Sequence, residues 1–249
     1  MVNVFSFCLY GPENPRYYPG MLENIYLAGI YYPTWKVYVY VGTDVPDTFV
    51  QRMSACTNVV IRNTGITGAN NMIERFFAID EDDVELMMVR DADSRIHWRD
   101  RWCINDFLKT NLIGHTIRDN IEHTAKLMGG LWGMRKISGF SIRKEYEAYS
   151  EDPMLGYRVA HDQNFLGDVI YPKILDRLLV HYSHGRVRLG ETYAKEIPFQ
   201  WTNDIYCGRI ECNPYTEHPQ PPISKSSYIL GFIPKESIPN TSVNFLDRK

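Results

Sequence analysis

The 249-residue chain contains no run of 18 apolar residues, so no helix able to cross a bilayer is expected. No run of Lys or Arg exceeds two residues, and 27 basic against 30 acidic side chains leave a net charge of only −3. Nucleic acid or an anionic membrane surface calls for a concentrated positive field, and neither is expected as a partner. No CxxC pair occurs, and the five cysteines (Cys8, Cys56, Cys103, Cys207, Cys212) are odd in number and widely spaced. This argues against both a zinc ribbon and a disulfide framework. The first ten residues lack a basic leader and a small-residue cleavage site, so they read as a buried strand rather than a signal peptide. A soluble protein of a reducing cytoplasm is expected, in which the sequon Asn240-Thr241-Ser242 would go unused. There is also no internal repeat, and no Pro- or Ser-rich linker divides the chain.

Apolar residues make up 44% of the sequence, enough for a real core. Aromatic residues are abundant: 17 Tyr, 11 Phe and 5 Trp, 13% of the chain. Such rings pair an apolar face with a polar tip, which suits sugars and bases, although a Tyr-rich core would give the same composition. Strand-like apolar runs at residues 2–9, 36–41, 59–61 and 85–89 alternate with helical patterns at 19–31, 46–55 and 70–79. That spacing predicts crossover units: an α/β fold with a mostly parallel sheet covered by helices on both faces. Beyond residue 93 the pattern loosens. A helix is expected at 99–108, a strand at 112–117, a Gly-rich turn at 129–133, a helix at 161–170 and a strand at 178–181. One domain over 1–249 is expected, with an irregular tail (214–249).

In parallel sheets ligands bind beyond the carboxyl ends of strands. Asp91-Ala92-Asp93 stands there, directly after the run Glu85-Leu86-Met87-Met88-Val89. Two carboxylates one residue apart can share a hard divalent cation, Mn²⁺ or Mg²⁺, which would neutralise a diphosphate. A second such pair, Asp80 and Asp82, precedes the strand and reads as a solvated loop. Around Asp91 and Asp93 lie Arg90 and Arg95, then His115-Thr116-Ile117-Arg118-Asp119-Asn120, His123, Gly129-Gly130-Leu131-Trp132-Gly133 and His161-Asp162-Gln163-Asn164.

In their order and spacing these pieces resemble the GT-A glycosyltransferases encoded by chloroviruses (large algal viruses) and by capsular-polysaccharide loci. Further matching pieces are Tyr10-Gly11, Gly20-Met21-Leu22-Glu23-Asn24, 35–41 and Glu74-Arg75-Phe76. The resemblance covers most of the chain and fades after Pro214. It implies a metal-dependent transferase that moves a sugar from a nucleotide-diphosphate donor, UDP- or GDP-linked, to a hydroxyl of a glycan or glycoprotein acceptor. The resemblance also implies that 1–95 is a nucleotide-binding half and 96–213 a sugar- and acceptor-binding half. A capsid glycan and a host-cytoplasmic location would follow if the chain is viral. Asp93 would then hold the metal, and Asp91 either the metal, a metal-bound water or the ribose. Tyr10 and Gly11 would lie under the nucleotide, with Arg75 reaching it or a phosphate.

Arg90 and Arg95 would contact phosphate, unless one pairs with an aspartate. Gly129 and Gly130 would let a sugar approach the backbone, and Trp132 would offer a platform for it, unless that indole is core. His181 would complete the metal site, unless it is a hydrogen-bonded core residue. Asp162 is the first candidate base for the acceptor hydroxyl, or a donor-sugar ligand, or a helix cap; Asp119 is the second candidate base. A sugar nucleotidyltransferase or phosphohydrolase is the alternative. The single glycine in Tyr10-Gly11-Pro12-Glu13-Asn14-Pro15-Arg16 counts against the nucleotidyltransferase, which would need a Gly-rich phosphate loop. A non-catalytic carbohydrate-binding protein would not require Asp91, Asp93 and Asp162 together.

Overall fold

The computed structural model describes residues 1–150, 161–184, 187–199 and 206–209. The tail expected over 214–249, with the sequon, lies outside them, as does Cys212. Eight strands form one sheet: β1 (Val2–Leu9), β2 (Lys36–Val41), β3 (Val59–Asn63), β4 (Val84–Arg90), β5 (Gly114–Arg118), β6 (Leu131–Arg135), β7 (Leu178–Tyr182) and β8 (Tyr193–Glu196). Their order across the sheet is β3-β2-β1-β4-β6-β5-β7-β8. Every pairing is parallel except the two made by β6, which runs antiparallel to both β4 and β5. The fold is therefore the expected α/β type with a mostly parallel sheet.

β1 lies between β2 and β4, covered on both faces, which is why it reads as an unbroken apolar run. Phe5, Phe7 and Leu9 pack on one face against α1 (Tyr18–Tyr31), α2 (Asp47–Ser54) and α3 (Trp98–Leu108). Val4 and Cys8 pack on the other, with Phe76, Ile142 of α4 (Ile142–Ser150) and Phe165 of α5 (His161–Phe165). The chain runs outward from β1 through β2 to β3, then returns to place β4 on β1's other side. This reversal opens a crevice above the carboxyl ends of β1 and β4.

Three differences from the sequence pattern have physical causes. Residues 68–80 form tight 3-10 turns where an α-helix was expected. The Arg75 carbonyl accepts a hydrogen bond from Ser6 Oγ at 2.6 Å, and Asn71 Nδ2 donates to the Leu9 and Tyr40 carbonyls. These bonds pin the segment to the sheet and compete with a helical ladder. β6 occupies half of the expected Gly-rich turn, its residues Leu131 to Met134 all buried. Asp80, read as solvated, caps α4 by accepting from the Ile142 and Arg143 amides at 3.0 and 2.8 Å. Helix α4 and strand β8 were not expected at all.

The later half of the sheet is tied by buried ion pairs. Arg118 at the end of β5 donates to both Glu191 oxygens, at 2.9 and 2.6 Å, and Tyr171 OH donates to the same carboxylate at 2.8 Å. Burial opposes ionisation of Glu191, but Arg118 and the Arg188 amide hold its carboxyl below the ordinary 4.5. Its contribution is therefore complete above that value and is lost as pH falls through the lower folded one. Replacing Glu191 by Ala should cost about 3–5 kcal/mol, because it leaves the buried Arg118 charge without this carboxylate. Urea unfolding checks this, and the acid-side loss of stability should be shallower in Glu191→Gln than in the wild type.

Candidate active site

Arg75 is the centre of the crevice. Its side chain is only 6% exposed, with Nη1 3.1 Å from Asp91 Oδ1 and Nη2 3.4 Å from Asp162 Oδ2. Nη1 also donates to Cys8 Sγ at 3.3 Å. One buried guanidinium thus joins the ends of β1 and β4 to the start of α5. Burial disfavours its charge, but Asp91, Cys8 and Asp162 together outweigh this and raise its pKa. The Cys8 thiol is pushed up by burial despite Arg75, so it stays protonated. Tyr10, half-buried beside this group, has its phenol pushed up to about 12, first by burial and then by Cys8.

The two aspartates after β4 differ sharply. Asp91 is the open one, its side chain 43% exposed. Asp93 is 9% exposed and is held by Arg16, whose Nε and Nη2 lie 2.9 and 2.7 Å from Oδ2. Burial, then the Asp91 charge, raise the Asp93 pKa, and Arg16 works against both. The turn itself is fixed from α1. Asn24 donates to the Ser94 carbonyl at 2.7 Å and accepts from the Ile96 amide at 2.9 Å. Gly20 is needed there, because a Cβ on it would fall 2.2 Å from the Ala92 carbonyl oxygen.

Across the crevice Gln163 accepts from the Gly129 amide at 2.9 Å and donates to the Leu127 carbonyl, clamping the turn before β6. Gly130 lies against Asp91: a Cβ there would be 2.0 Å from Asp91 Oδ2. The close approach that this glycine permits is therefore made by Asp91. Tyr10, Arg75, Asp91, Asp93, Gly129, Gly130 and Asp162 all belong to one locality, with Gly11 leading into the loop that carries Arg16.

Several expected site residues belong elsewhere. Arg90 alternates to the opposite sheet face from Asp91, where both Asp100 oxygens hold it at 3.0 and 2.6 Å. It is 1% exposed and cannot meet a phosphate. Arg95 is a clamp of the turn, paired with Glu23 and donating to the Asp93 and Ser94 carbonyls at 3.1 Å. Trp132 is fully buried and meets Phe76 edge-on at 5.4 Å, so it presents no platform.

His181 lies three inter-strand spacings from β4, roughly 14 Å. There its Nδ1 pairs with His115 at 2.9 Å and its Nε2 with Asp106 at 3.1 Å. Burial, outweighing Asp106, lowers its pKa to about 4. It is a neutral core residue and not a third ligand to Asp91 and Asp93. Asp119 is fully buried, with oxygens accepting from Arg99 at 2.7 and 2.5 Å and from the Cys207 amide at 2.9 Å. No acceptor hydroxyl can reach it, so it is no base. His123 supports it by accepting from the Asp119 amide at 3.0 Å.

Three participants were not singled out from sequence: Arg16, Gln163 and Asp44. Asp44 follows β2 and accepts from the Gly68 amide at 2.9 Å. The Gly11 amide leads in holding its carboxyl below the usual range, against burial, with Gly68 assisting. All three follow a strand or open a helix at the crevice side, which is the signal that marks them.

No protein-family model matches the chain, and a search of curated proteins finds no match. Solved structures similar to it include S. aureus TarS 1–349, at 13% identity, 72% coverage of this chain and a TM-score of 0.49. The chain spans 58% of that fragment. A glycosyltransferase involved in glycosylation of the major capsid of PBCV-1 is similar at 13% identity, covering 72% of this chain and 81% of its own, with a TM-score of 0.48. The 4-diphosphocytidyl-2C-methyl-D-erythritol synthase of Anaerococcus prevotii DSM 20548 is similar at 10% identity over 73% and 87%, with a TM-score of 0.49. Among the described residues no helix is long and apolar enough to cross a membrane.

The packing of Gly130 gives a stability test. Gly130→Ala must expel Asp91 from Arg75, and overpacking of this kind costs about 1–3 kcal/mol. Gly129→Ala meets nothing nearer than 3.4 Å and should cost much less. Chemical denaturation of the two variants side by side should show this order.

Proposed function

We propose that this chain is a glycosyltransferase that moves a sugar from a nucleotide-diphosphate donor to a hydroxyl of a glycan acceptor. The observation that carries this is the Arg75 bridge between Asp91 and Asp162, placed at the reversal of strand order beside Asp93. The nucleoside would lie over the ends of β1 and β2, between Tyr10 and Asp44. Its diphosphate would point toward the aspartates after β4, and the sugar toward Gly129 and Asp162.

The donor set fits a hard divalent cation. Asp91 and Asp93 carry only oxygen donors and repel each other, as the raised pKa of Asp93 records after burial is counted. No group of three His, Cys, Asp or Glu able to hold a metal occurs among the described residues. The protein would thus supply Asp91 and Asp93, and donor oxygens or water the rest. When bound there, Mn²⁺ or Mg²⁺ supplies positive charge against the diphosphate leaving group.

The chain's own residues have distinct tasks. Arg75 fixes Asp91 and Asp162 in relation to one another, so both are oriented before any ligand arrives. Asp162, 13% exposed, accepts the acceptor hydroxyl's proton as that hydroxyl's oxygen bonds to the anomeric carbon and the bond from that carbon to the departing nucleoside diphosphate breaks. Gln163 holds the backbone wall of the sugar pocket.

Titration with UDP- and GDP-sugars, with and without Mn²⁺, is the direct test. Binding that is metal-independent, or unchanged in Asp93→Ala, removes the cation from this scheme. Asp162→Asn should lower kcat by on the order of 10²–10⁴ while donor affinity stays near normal. A parallel loss of donor affinity would make Asp162 a sugar ligand instead. Failure of both nucleotides to bind would overturn the whole assignment.

A further inference from the structure

Arg16 belongs to the loop between β1 and α1 and is the cation nearest Asp93. Two of its nitrogens converge on the single oxygen Oδ2, at 2.9 and 2.7 Å. The guanidinium is 39% exposed and the carboxylate beneath it 9%, so Arg16 covers Asp93 on its open side. Arg75 is different: it is buried and committed to Asp91 and Asp162.

Among the described residues, four carboxylates (Asp44, Asp91, Asp93, Asp162) face two guanidiniums (Arg16, Arg75) across the crevice. Cys8 and Tyr10 are protonated and add nothing. An incoming nucleoside diphosphate, itself an anion, therefore meets an uncompensated negative charge. The balance improves in two ways at once if Asp93 accepts a divalent cation and Arg16 is released toward the phosphates. Such a turn would fall to the side chain and leave the loop in place. Its backbone is held at the flanks, with the Arg16 amide on Asn14 Oδ1 at 2.9 Å and Tyr18 OH on the Gly11 carbonyl at 2.5 Å. The ring of Tyr17 lies 5.4 Å from the guanidinium and supports it over the crevice rim.

We propose that Arg16 is an exchangeable counterion: it neutralises Asp93 in the donor-free protein, yields that carboxylate to a divalent cation, and pairs instead with a phosphate of the donor. This rests on the nucleotide-sugar assignment above. An arginine suits the double task, because its fork serves carboxylate and phosphate alike and never loses its charge.

The proposal requires effects of opposite sign from one substitution. Arg16→Ala removes a competitor for Asp93, so Mn²⁺ alone should bind roughly threefold tighter or more, read by electron paramagnetic resonance of the free ion. The same variant loses a phosphate partner. UDP or GDP, whichever binds the wild type in the presence of Mn²⁺, should bind it roughly threefold weaker or more by calorimetry. Arg16→Lys should lie between the wild type and Arg16→Ala in both measurements. Weakening of both ligands, or no change in Mn²⁺ affinity, overturns the exchange. If Asp93→Ala abolishes Mn²⁺ binding while Arg16→Ala leaves it unchanged, only the exchange falls and the metal site stands. If neither nucleotide binds the wild type, the functional assignment falls and the exchange with it.

Discussion

A guanidinium placed in a protein interior is tolerable only when carboxylates or other acceptors surround it, since desolvation of the bare ion costs several kcal/mol. Arg75 meets this condition by drawing one carboxylate from the end of β4 and another from α5, with the Cys8 sulfur below. The requirement runs both ways. Without Arg75, Asp91 and Asp162 would face each other with no cation between them, and Gly130 would have no fixed carboxylate to pack on. The positions of Asp91 and Asp162 follow from this one ion, and the 3-10 geometry of residues 68–80 serves to present it.

Arg75 is held at both ends of its residue. Ser6 Oγ binds its carbonyl from β1, while its side chain reaches past β1 to β4. The central strand thus acts as the ruler for the site. Ser6 and Cys8 share the β1 face that looks toward the 3-10 segment, whereas Phe5, Phe7 and Leu9 anchor the opposite layer. A polar Ser within an otherwise apolar strand is explained by this bond and not by exposure, for it is fully buried.

The sequence made the parallel half of the sheet legible because strands buried on both faces appear as continuous apolar runs. Asp91, Asp93, Asp162 and Arg75 were legible for a related reason: each stands next to such a run or on a helical stretch facing it. What could not be read was the face on which a side chain emerges. Arg90 and Asp91 are neighbours in sequence, yet one is sealed against Asp100 and the other opens to solvent. His181 and Trp132 are similar cases, since a residue in a buried strand can look toward a ligand or toward a helix with equal local pattern. β6 was hidden by Gly133 and by the Gly129-Gly130 pair just before it, and its antiparallel direction gave no crossover spacing to betray it.

Four buried arginines illustrate how the surrounding partners decide a residue's role. Arg90, Arg99 and Arg118 each receive both oxygens of one carboxylate, at distances of 2.5–3.0 Å. Their fork is saturated, and the ion pairs are closed structural units. Arg75 instead contacts one oxygen from each of two aspartates, at 3.1 and 3.4 Å. Its pairing is looser, and each partner keeps an oxygen for something else. Bidentate closure thus marks Arg90, Arg99 and Arg118 as ion pairs that hold the fold, whereas Arg75 is shared between two carboxylates. The same criterion places Arg16 with Arg75, since both its nitrogens crowd a single oxygen of Asp93 and leave the other one over. A carboxylate with an oxygen outside its ion pair is the local arrangement that ligand exchange requires.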